Sequence, residues 1–162
     1  MPIKHFEDVP GRMMWALEEA GHGSRIIIAD RSLDIDSSRQ RVVDYRGRTS
    51  PQALRSCLKL VRHEGLITFM APDVDDEREE ATLALVEFGQ LVTDLSIDPT
   101  IDITEQDFSE PIPRLGEDGF KSLIAPEAGQ RQIVVRTPDD RPYACATFIV
   151  GHSQFCREIS DF

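Results

Sequence analysis

One histidine stands between two glycines, where a proton-transfer group could meet a ligand. The segment Gly21-His22-Gly23 is followed by the apolar run Ile26–Ala29 and then by Asp30. Histidine exchanges protons near neutral pH, and the flanking glycines remove side-chain bulk around it. His22 is therefore a candidate acid–base group, although an ordinary surface histidine after a helix would have the same local sequence.

A second segment near the C-terminus carries polar groups between two apolar runs. Val134 and Val135 precede the acidic turn 138–141, and Tyr143 and Cys145 follow it. Buried cysteines usually pack as small apolar side chains. For Cys145 that role is favoured over a nucleophilic one, since no basic partner can be identified from the sequence.

Alternating helical and strand patterns predict the elements that hold these two segments. A helix over residues 11–20 ends at Gly21, and the run Ile26–Ala29 predicts a strand covered on both faces. The remaining predictions are a helix starting at Ser50 as its cap and ending at Gly65, a strand over Leu66–Met70, a helix from Asp75 to about Leu95, a short helix near Lys121–Ile124, and strands over Gln132–Arg136 and Tyr143–Val150. Strands alternating with helices favour a layered α/β domain.

Length and composition narrow the class of protein. The chain has 162 residues, which predicts one domain, here residues 1–152 with a tail at 153–162. A net charge of −11 argues against a nucleic-acid groove, because binding phosphates requires clustered lysine and arginine. No apolar run is long enough to span a membrane, and the first residues lack the pattern of a signal peptide. We therefore expect a cytoplasmic protein.

Cysteine and histidine spacing gives no sign of a metal site. Cys57, Cys145 and Cys156 form no CxxC pair, which suits a reducing compartment. The other histidines, His5, His63 and His152, are too far apart in the sequence to resemble a metal-binding motif. We therefore expect no metal site. Trp15 is expected to pack in the core rather than line a pocket.

Together, residues 18–30 and 134–145 resemble the family of sugar mutarotases that includes ribose pyranase and fucose mutarotase. The resemblance spans most of residues 11–152. It implies an RbsD/FucU-like three-layer α/β sandwich with a central mixed sheet. It also implies an isomerase that interconverts cyclic forms of a monosaccharide such as fucose or ribose, without a metal or an organic cofactor. By this resemblance His22 matches the proton donor, Asp30 a substrate-binding aspartate, and Tyr143 the tyrosine of a Tyr-x-Asn motif.

The chain also departs from that family at specific positions. Cys145 stands where the family has asparagine, and Asp34 where it usually has proline. Where the family has a histidine or arginine, the direct match by spacing is Glu117, and Arg114 could bind substrate only if the loop is shifted. The predicted substrate-binding set is therefore Asp30, Tyr143, Cys145 and Arg114.

The spacing of His22 and Asp30 bears on assembly. A five-residue strand separates its ends by roughly 17 Å, so one small sugar can hardly touch both side chains of the same chain. This predicts a homo-oligomer with sites at subunit contacts. Two alternatives stay open: a relative that acts on a non-sugar hemiacetal or lactone, and a sugar-binding protein without catalysis.

Overall fold

A mixed sheet of six strands forms the middle of the molecule, in the order β2-β5-β1-β6-β3-β4. The computed structural model describes residues 11–46, 49–72, 83–98, 101, 114–127 and 129–153. The strands are β1 (Arg25–Ala29), β2 (Arg41–Asp44), β3 (Val61–Met70), β4 (Arg114–Leu115), β5 (Gln132–Arg136) and β6 (Ala146–Ser153). β6 runs antiparallel to its neighbours β1 and β3, whereas the remaining pairs are parallel.

Helices cover the two faces of this sheet unequally. They are α1 (Gly11–Glu19), α2 (Ser50–Leu60), α3 (Leu83–Ser96) and α4 (Glu117–Leu123). The larger core joins α1, α2 and α3 to one face through side chains such as Ile26 and Ile28. On the other face, Ile27 and Ala29 pack with Phe120 of the short helix α4. These three layers confirm the predicted α/β sandwich with a central mixed sheet.

The apolar run of β1 is buried on both faces, as its sequence predicts. Ile26 to Ala29 are all fully buried. Alternate side chains of a strand point to opposite faces, so a strand between two helical layers requires apolar residues at every position. β1 therefore forms the centre of the molecule and fixes where its two ends lie.

The start of α2 lies one residue earlier than predicted. Thr49, not Ser50, is the N-cap: its hydroxyl accepts a hydrogen bond from the backbone N–H of Gln52, whose side chain accepts one from the Thr49 N–H. Ser50 is instead buried, and its hydroxyl shares a 2.8 Å hydrogen bond with that of Thr137. This reciprocal capping satisfies two amide groups that the helix leaves unpaired.

The predicted end of this helix at Gly65 is wrong. The helix ends at Leu60, and β3 begins directly at Val61. Gly65 lies inside β3 with a φ of 72°, where the pairing with β6 shifts register between Glu64 and Thr68. A glycine with positive φ is typical of a β-bulge. Gly65 therefore belongs to an irregularity within the strand and does not end the helix.

Strands β6 and β2 also differ from expectation, and β4 was likewise not predicted. β6 begins at Ala146 rather than Tyr143, because Tyr143 has a φ of 62°, which no regular strand accommodates. β2 was not predicted, since it has four residues and only Val43 is buried. A short outer strand of this kind lacks the alternation of apolar and polar residues that would predict a strand from the sequence.

Some predictions concern residues outside the described ranges. α3 is described from Leu83, so the predicted helical residues 75–82 are not covered, and the same holds for His5, Cys156 and the tail from 154. The short helix near Lys121 is confirmed as α4 and starts four residues earlier. In the part of the chain that is described, no helix has the length and apolar character that crossing a membrane requires.

Candidate active site

A cavity of about 330 Å³ opens beyond the carboxyl end of β1, on the face covered by α4. Its lining includes Asp30, Ser32, Tyr143 and Cys145, with Glu117 and Lys121 contributed by α4. A volume of this size falls in the range of small-ligand pockets. Three of the predicted site residues, Asp30, Tyr143 and Cys145, therefore come together here.

Asp30 is held rigidly by the chain that follows it. The side chain is only 3% exposed. Its Oδ1 accepts hydrogen bonds from the backbone N–H of Ser32 at 3.0 Å and of Leu33 at 2.8 Å, and from the Ser32 hydroxyl at 3.1 Å. An aspartate that bonds the backbone two residues ahead stabilises a turn. Asp30 thus shapes its own loop and also presents a carboxylate to the cavity.

Arg136, at the end of β5, fixes the same loop from behind. Its guanidinium donates to the backbone carbonyl of Asp30 at 2.5 Å and to that of Leu33 at 2.7 Å. Both acceptors are carbonyls, so Arg136 does not pair with an acidic side chain through these bonds. Charged hydrogen bonds of this kind are stronger than neutral ones, and here they orient the segment that carries Asp30.

The acidic turn before Tyr143 is a structural element. The Asp139 carboxylate accepts from the backbone N–H of Ser50 at 3.0 Å, and its backbone carbonyl accepts from the N–H of Arg31 at 2.9 Å. Arg141 forms a bidentate pair with Asp139 and also contacts Glu87. The turn therefore ties the Asp30 loop to α2 and α3.

The charge of Asp139 is favoured despite its burial. Burial opposes ionisation, but the guanidinium of Arg141 and backbone N–H groups of Ser50 and Arg141 outweigh it and keep the pKa of Asp139 below its usual value. In return, the Asp139 and Glu87 carboxylates raise the pKa of Arg141. Both partners are therefore ionised at neutral pH, and their pair holds the turn beside the cavity.

Tyr143 has an unusual backbone conformation. Its φ of 62° is the only positive value at a non-glycine residue in the described part of the chain. For a bulky side chain this conformation costs about 1–2 kcal/mol, and such strain concentrates at functional sites. The conformation places a half-buried tyrosine on the cavity wall, just after Pro142.

Cys145 is a buried thiol in contact with Asp30. Burial, and then the nearby Asp30 carboxylate, raise the pKa of the Cys145 thiol well above its usual range. A protonated thiol is a poor nucleophile. This agrees with the expectation that Cys145 is not a nucleophile, and leaves it as a weak hydrogen-bonding group beside Asp30.

Helix α4 brings charged groups to the cavity that were not predicted as binding residues. Lys121 and Glu117 form an ion pair of 2.8 Å one turn apart on α4, and hydrogen bonding to Glu117 raises the pKa of Lys121. Arg114 lies on β4 with an exposed side chain and does not line the cavity, so its binding role stays a prediction. Glu117 was noted in the sequence because it matches, by spacing, the position where the family has a histidine or arginine. No feature of the sequence indicated that Lys121 lines the cavity.

His22 lies at the opposite end of β1 from Asp30 and does not line this cavity. Its Nε2 is 2.7 Å from Oε2 of Glu64 on β3, and both side chains are about half exposed, at 55% and 54%. Glu64 was not recognised in the sequence, because it is 42 residues away and only the sheet brings it near. Within one chain, therefore, His22 and Asp30 are kept apart, as the spacing argument predicted.

The cavity can bind hydroxyl groups through Asp30, Tyr143, Glu117 and Lys121, which supply both donors and acceptors. Over the described residues, no group of three or more histidine, cysteine or acidic side chains is arranged to hold a metal ion. His22, which the sequence predicts as the proton-transfer group, stands apart from these side chains. The candidate binding residue Asp30 and the candidate acid–base residue His22 thus lie at opposite ends of β1.

Comparisons with solved structures show the same fold. Fucose mutarotase from Streptococcus pneumoniae, solved with L-fucose, is 20% identical with a TM-score of 0.65, covering 90% of this chain and 94% of that one. FucU from Bifidobacterium longum is 18% identical with a TM-score of 0.68, covering 90% and 96%. RbsD from Bacillus subtilis, solved with D-ribose, is 15% identical with a TM-score of 0.59, covering 88% and 93%.

Family membership rests on the sequence itself. No curated protein matches this chain. The sequence pattern of the RbsD / FucU transport protein family, however, matches residues 10–152, which is most of the 162-residue chain. Because the match covers most of the chain, the protein belongs to the RbsD/FucU family.

Proposed function

We propose that this protein is a mutarotase that interconverts cyclic forms of a free monosaccharide by acid–base ring opening. One observation carries the proposal: Asp30, Tyr143 and Cys145, which come from two distant segments, line one small cavity. The family relationship supports the same kind of activity, because relatives with this fold are a fucose mutarotase and a protein that binds ribose.

The reaction needs proton transfer and little else from the protein. A proton goes to the ring oxygen and another leaves the anomeric hydroxyl, after which the open aldehyde closes again in another form. A positioned acid–base group contributes about 10²–10⁴-fold to such steps. In this proposal His22 exchanges the protons, while Asp30 and Tyr143 position hydroxyl groups.

The charges around the cavity favour an uncharged sugar. The lining contains the carboxyl side chains of Asp30, Glu117 and Asp140, and Lys121 is already paired with Glu117. A phosphate on the sugar would meet these carboxylates at close range and would be repelled. Free monosaccharides are therefore preferred to sugar phosphates.

A second copy of the chain completes the site. Since His22 and Asp30 lie at opposite ends of β1, we propose a homo-oligomer in which the His22 end of one copy meets the cavity of the next. Such a head-to-tail contact uses two different surfaces and closes into a ring if the rotation allows it. Light scattering of the wild-type protein gives the oligomeric state, and a fully active monomer would contradict this arrangement.

Nuclear magnetic resonance saturation transfer between sugar anomers tests the activity, with fucose and ribose among the sugars. We expect exchange to be accelerated by the wild type and lost in His22→Ala. Mixing His22→Ala with Asp30→Asn then tests the shared site. If subunits exchange at random, roughly a quarter of the sites contain both native residues and activity reappears; no recovery in confirmed mixed oligomers would contradict a shared site.

Binding without catalysis is the second candidate function. The observation that favours it is Cys145, whose thiol contacts Asp30. At this position the Tyr-x-Asn motif has an asparagine, whose amide is a stronger hydrogen-bonding group than a thiol. In this case sugars bind to the wild type, but saturation transfer shows no accelerated exchange. Recovery of exchange in Cys145→Asn would then assign the loss of catalysis to this position.

A further inference from the structure

A second, larger cavity lies on a different part of the molecule, between α1 and the outer strand β2. Its volume is about 660 Å³, and its lining includes Arg12, Trp15, Arg41, Asp44 and Arg46. None of these residues lines the Asp30 cavity. The proposed sugar site therefore gives no reason for this cluster.

The cluster is basic in an acidic protein. Three arginines and one aspartate line the cavity, whereas the whole chain has a net charge of −11. Arg41 forms an ion pair with Glu19 at 3.1 Å. Arg12 and Arg46, in contrast, form no ion pair with any residue that the structure describes. Two guanidinium groups that have no ion pair among the described residues lie beside one cavity and favour an anionic ligand, since their planar forks match phosphate oxygens.

An aromatic ring stands beside these arginines. Trp15 is 60% exposed, which contradicts the expectation that it packs in the core. Trp15 does not belong to the buried face of α1, which consists of Met13, Ala16 and Leu17. Its ring lies toward β2, and the guanidinium of Arg41 is 5.7 Å from the ring centre. A tryptophan face and a planar guanidinium are both surfaces on which a flat ring can stack.

We propose that this cavity binds a nucleotide, that is, a planar heteroaromatic ring carrying a phosphate. The ring stacks on Trp15 and Arg41, the phosphate binds Arg12 and Arg46, and the Asp44 carboxylate accepts a hydrogen bond from an amino or hydroxyl group of the ligand. The cavity volume falls within the range of sites for small organic ligands. Because the site lies apart from the Asp30 cavity, it does not depend on the proposed mutarotase activity.

Trp15 is the only tryptophan of the chain, so its fluorescence reports on this cavity alone. Adenosine 5′-monophosphate, adenosine and inorganic phosphate are titrated separately at about 0.15 M salt, where non-specific attraction is screened, and calorimetry checks each affinity. We expect a saturable change with adenosine monophosphate and much weaker binding of adenosine or phosphate alone. Arg12→Gln or Arg46→Gln weakens binding about 10- to 100-fold, as expected for a lost charged hydrogen bond.

Arg39→Gln is the matched control, because it removes an exposed arginine that does not line the cavity. We expect its affinity to stay within about twofold of the wild type. Circular dichroism establishes that each variant is folded. Absence of saturable binding by both methods, or equal weakening in Arg39→Gln and Arg12→Gln, overturns the proposal. So does Trp15 fluorescence that changes with protein concentration and not with the nucleotide, since a second copy then covers the cavity.

Discussion

The Nε2 atom of His22 lies 2.7 Å from Oε2 of Glu64, although the two residues are 42 positions apart in the chain. Strand β6 brings them together. The Gly23 N–H donates to the Val150 carbonyl at 2.8 Å, while Glu64 pairs in register with Ile149. A carboxylate at Nε2 orients the ring and selects which nitrogen carries the hydrogen in the neutral form.

The first prediction concerns this contact. In Glu64→Gln we expect anomer exchange to slow about tenfold, a part of the ~10²–10⁴-fold that a positioned acid–base group contributes. Saturation transfer at several sugar concentrations should assign the loss to kcat rather than KM, because Glu64 does not line the sugar cavity. Glu64→Asp should recover part of the rate.

The control for this experiment is Glu19→Gln, which removes a carboxylate of similar exposure that pairs with Arg41 instead. ¹⁵N spectra of the imidazole ring report the His22 tautomer without any sugar. Unchanged ring signals and an unchanged kcat in Glu64→Gln would show that the contact does not orient His22.

The second prediction compares two truncations of Tyr143. Tyr143→Gly and Tyr143→Ala both remove the ring, but only glycine adopts the φ of 62° without strain. We expect the glycine variant to have a free energy of unfolding about 1 kcal/mol higher than the alanine variant. Urea denaturation measures the difference, and equal stabilities would show that the backbone is not strained here.

The third prediction concerns the pH dependence of stability. The pKa of Asp139 is lowered in the folded protein, mainly because hydrogen bonds from Arg141 and the Ser50 N–H overcome the effect of burial. The unfolded state therefore binds the proton more readily, so the contribution of Asp139 is present above the unfolded pKa of about 3.9 and is lost as the pH falls through the folded pKa.

Urea denaturation between about pH 3 and pH 7 tests this contribution. Asp139→Asn should reduce stability at neutral pH by about 1–3 kcal/mol, and the difference from the wild type should shrink in acid. Asp36→Asn is the comparison, because Asp36 also has a lowered pKa but is exposed, with hydrogen bonds mainly from Ser38. A stability difference for Asp139→Asn that does not change with pH would contradict the assignment.

The fourth prediction concerns thiol reactivity. Burial raises the pKa of both Cys57 and Cys145, so neither forms appreciable thiolate at pH 8. Alkylation by iodoacetamide followed by peptide mass spectrometry should find both cysteines unmodified in the folded protein and modified in urea. Rapid labelling of Cys145 under native conditions would contradict its placement.

The fifth prediction separates shaping of the Asp30 loop from sugar contact. Arg136→Gln removes the charged hydrogen bonds to the carbonyls of Asp30 and Leu33. We expect weaker sugar binding, measured by calorimetry, together with a loss of about 1–3 kcal/mol in stability. Arg131→Gln, which removes a bond to the Glu19 carbonyl at the other end of β5, should lower stability without changing sugar affinity.

The sequence by itself determined the central strand and the two segments at its ends. Four consecutive apolar residues between Gly23 and Asp30 require a strand buried on both faces, and this local rule also places His22 and Asp30 apart. The helices α1 and α2 were predicted for the same reason, since apolar periodicity is a property of neighbouring residues. Gly65 and Tyr143 were misread because glycine permits several conformations and a strained tyrosine leaves no local signal.

Only the tertiary structure decided which side chains meet. Glu64 reaches His22, Cys145 reaches Asp30, and Arg136 holds the Asp30 loop through contacts between distant segments of the chain. Each contact depends on strand order and register, which the hydrophobic pattern of a single strand does not contain. The exposed Trp15 beside three arginines is also a consequence of packing, because the face that α1 buries follows from its neighbours in the fold.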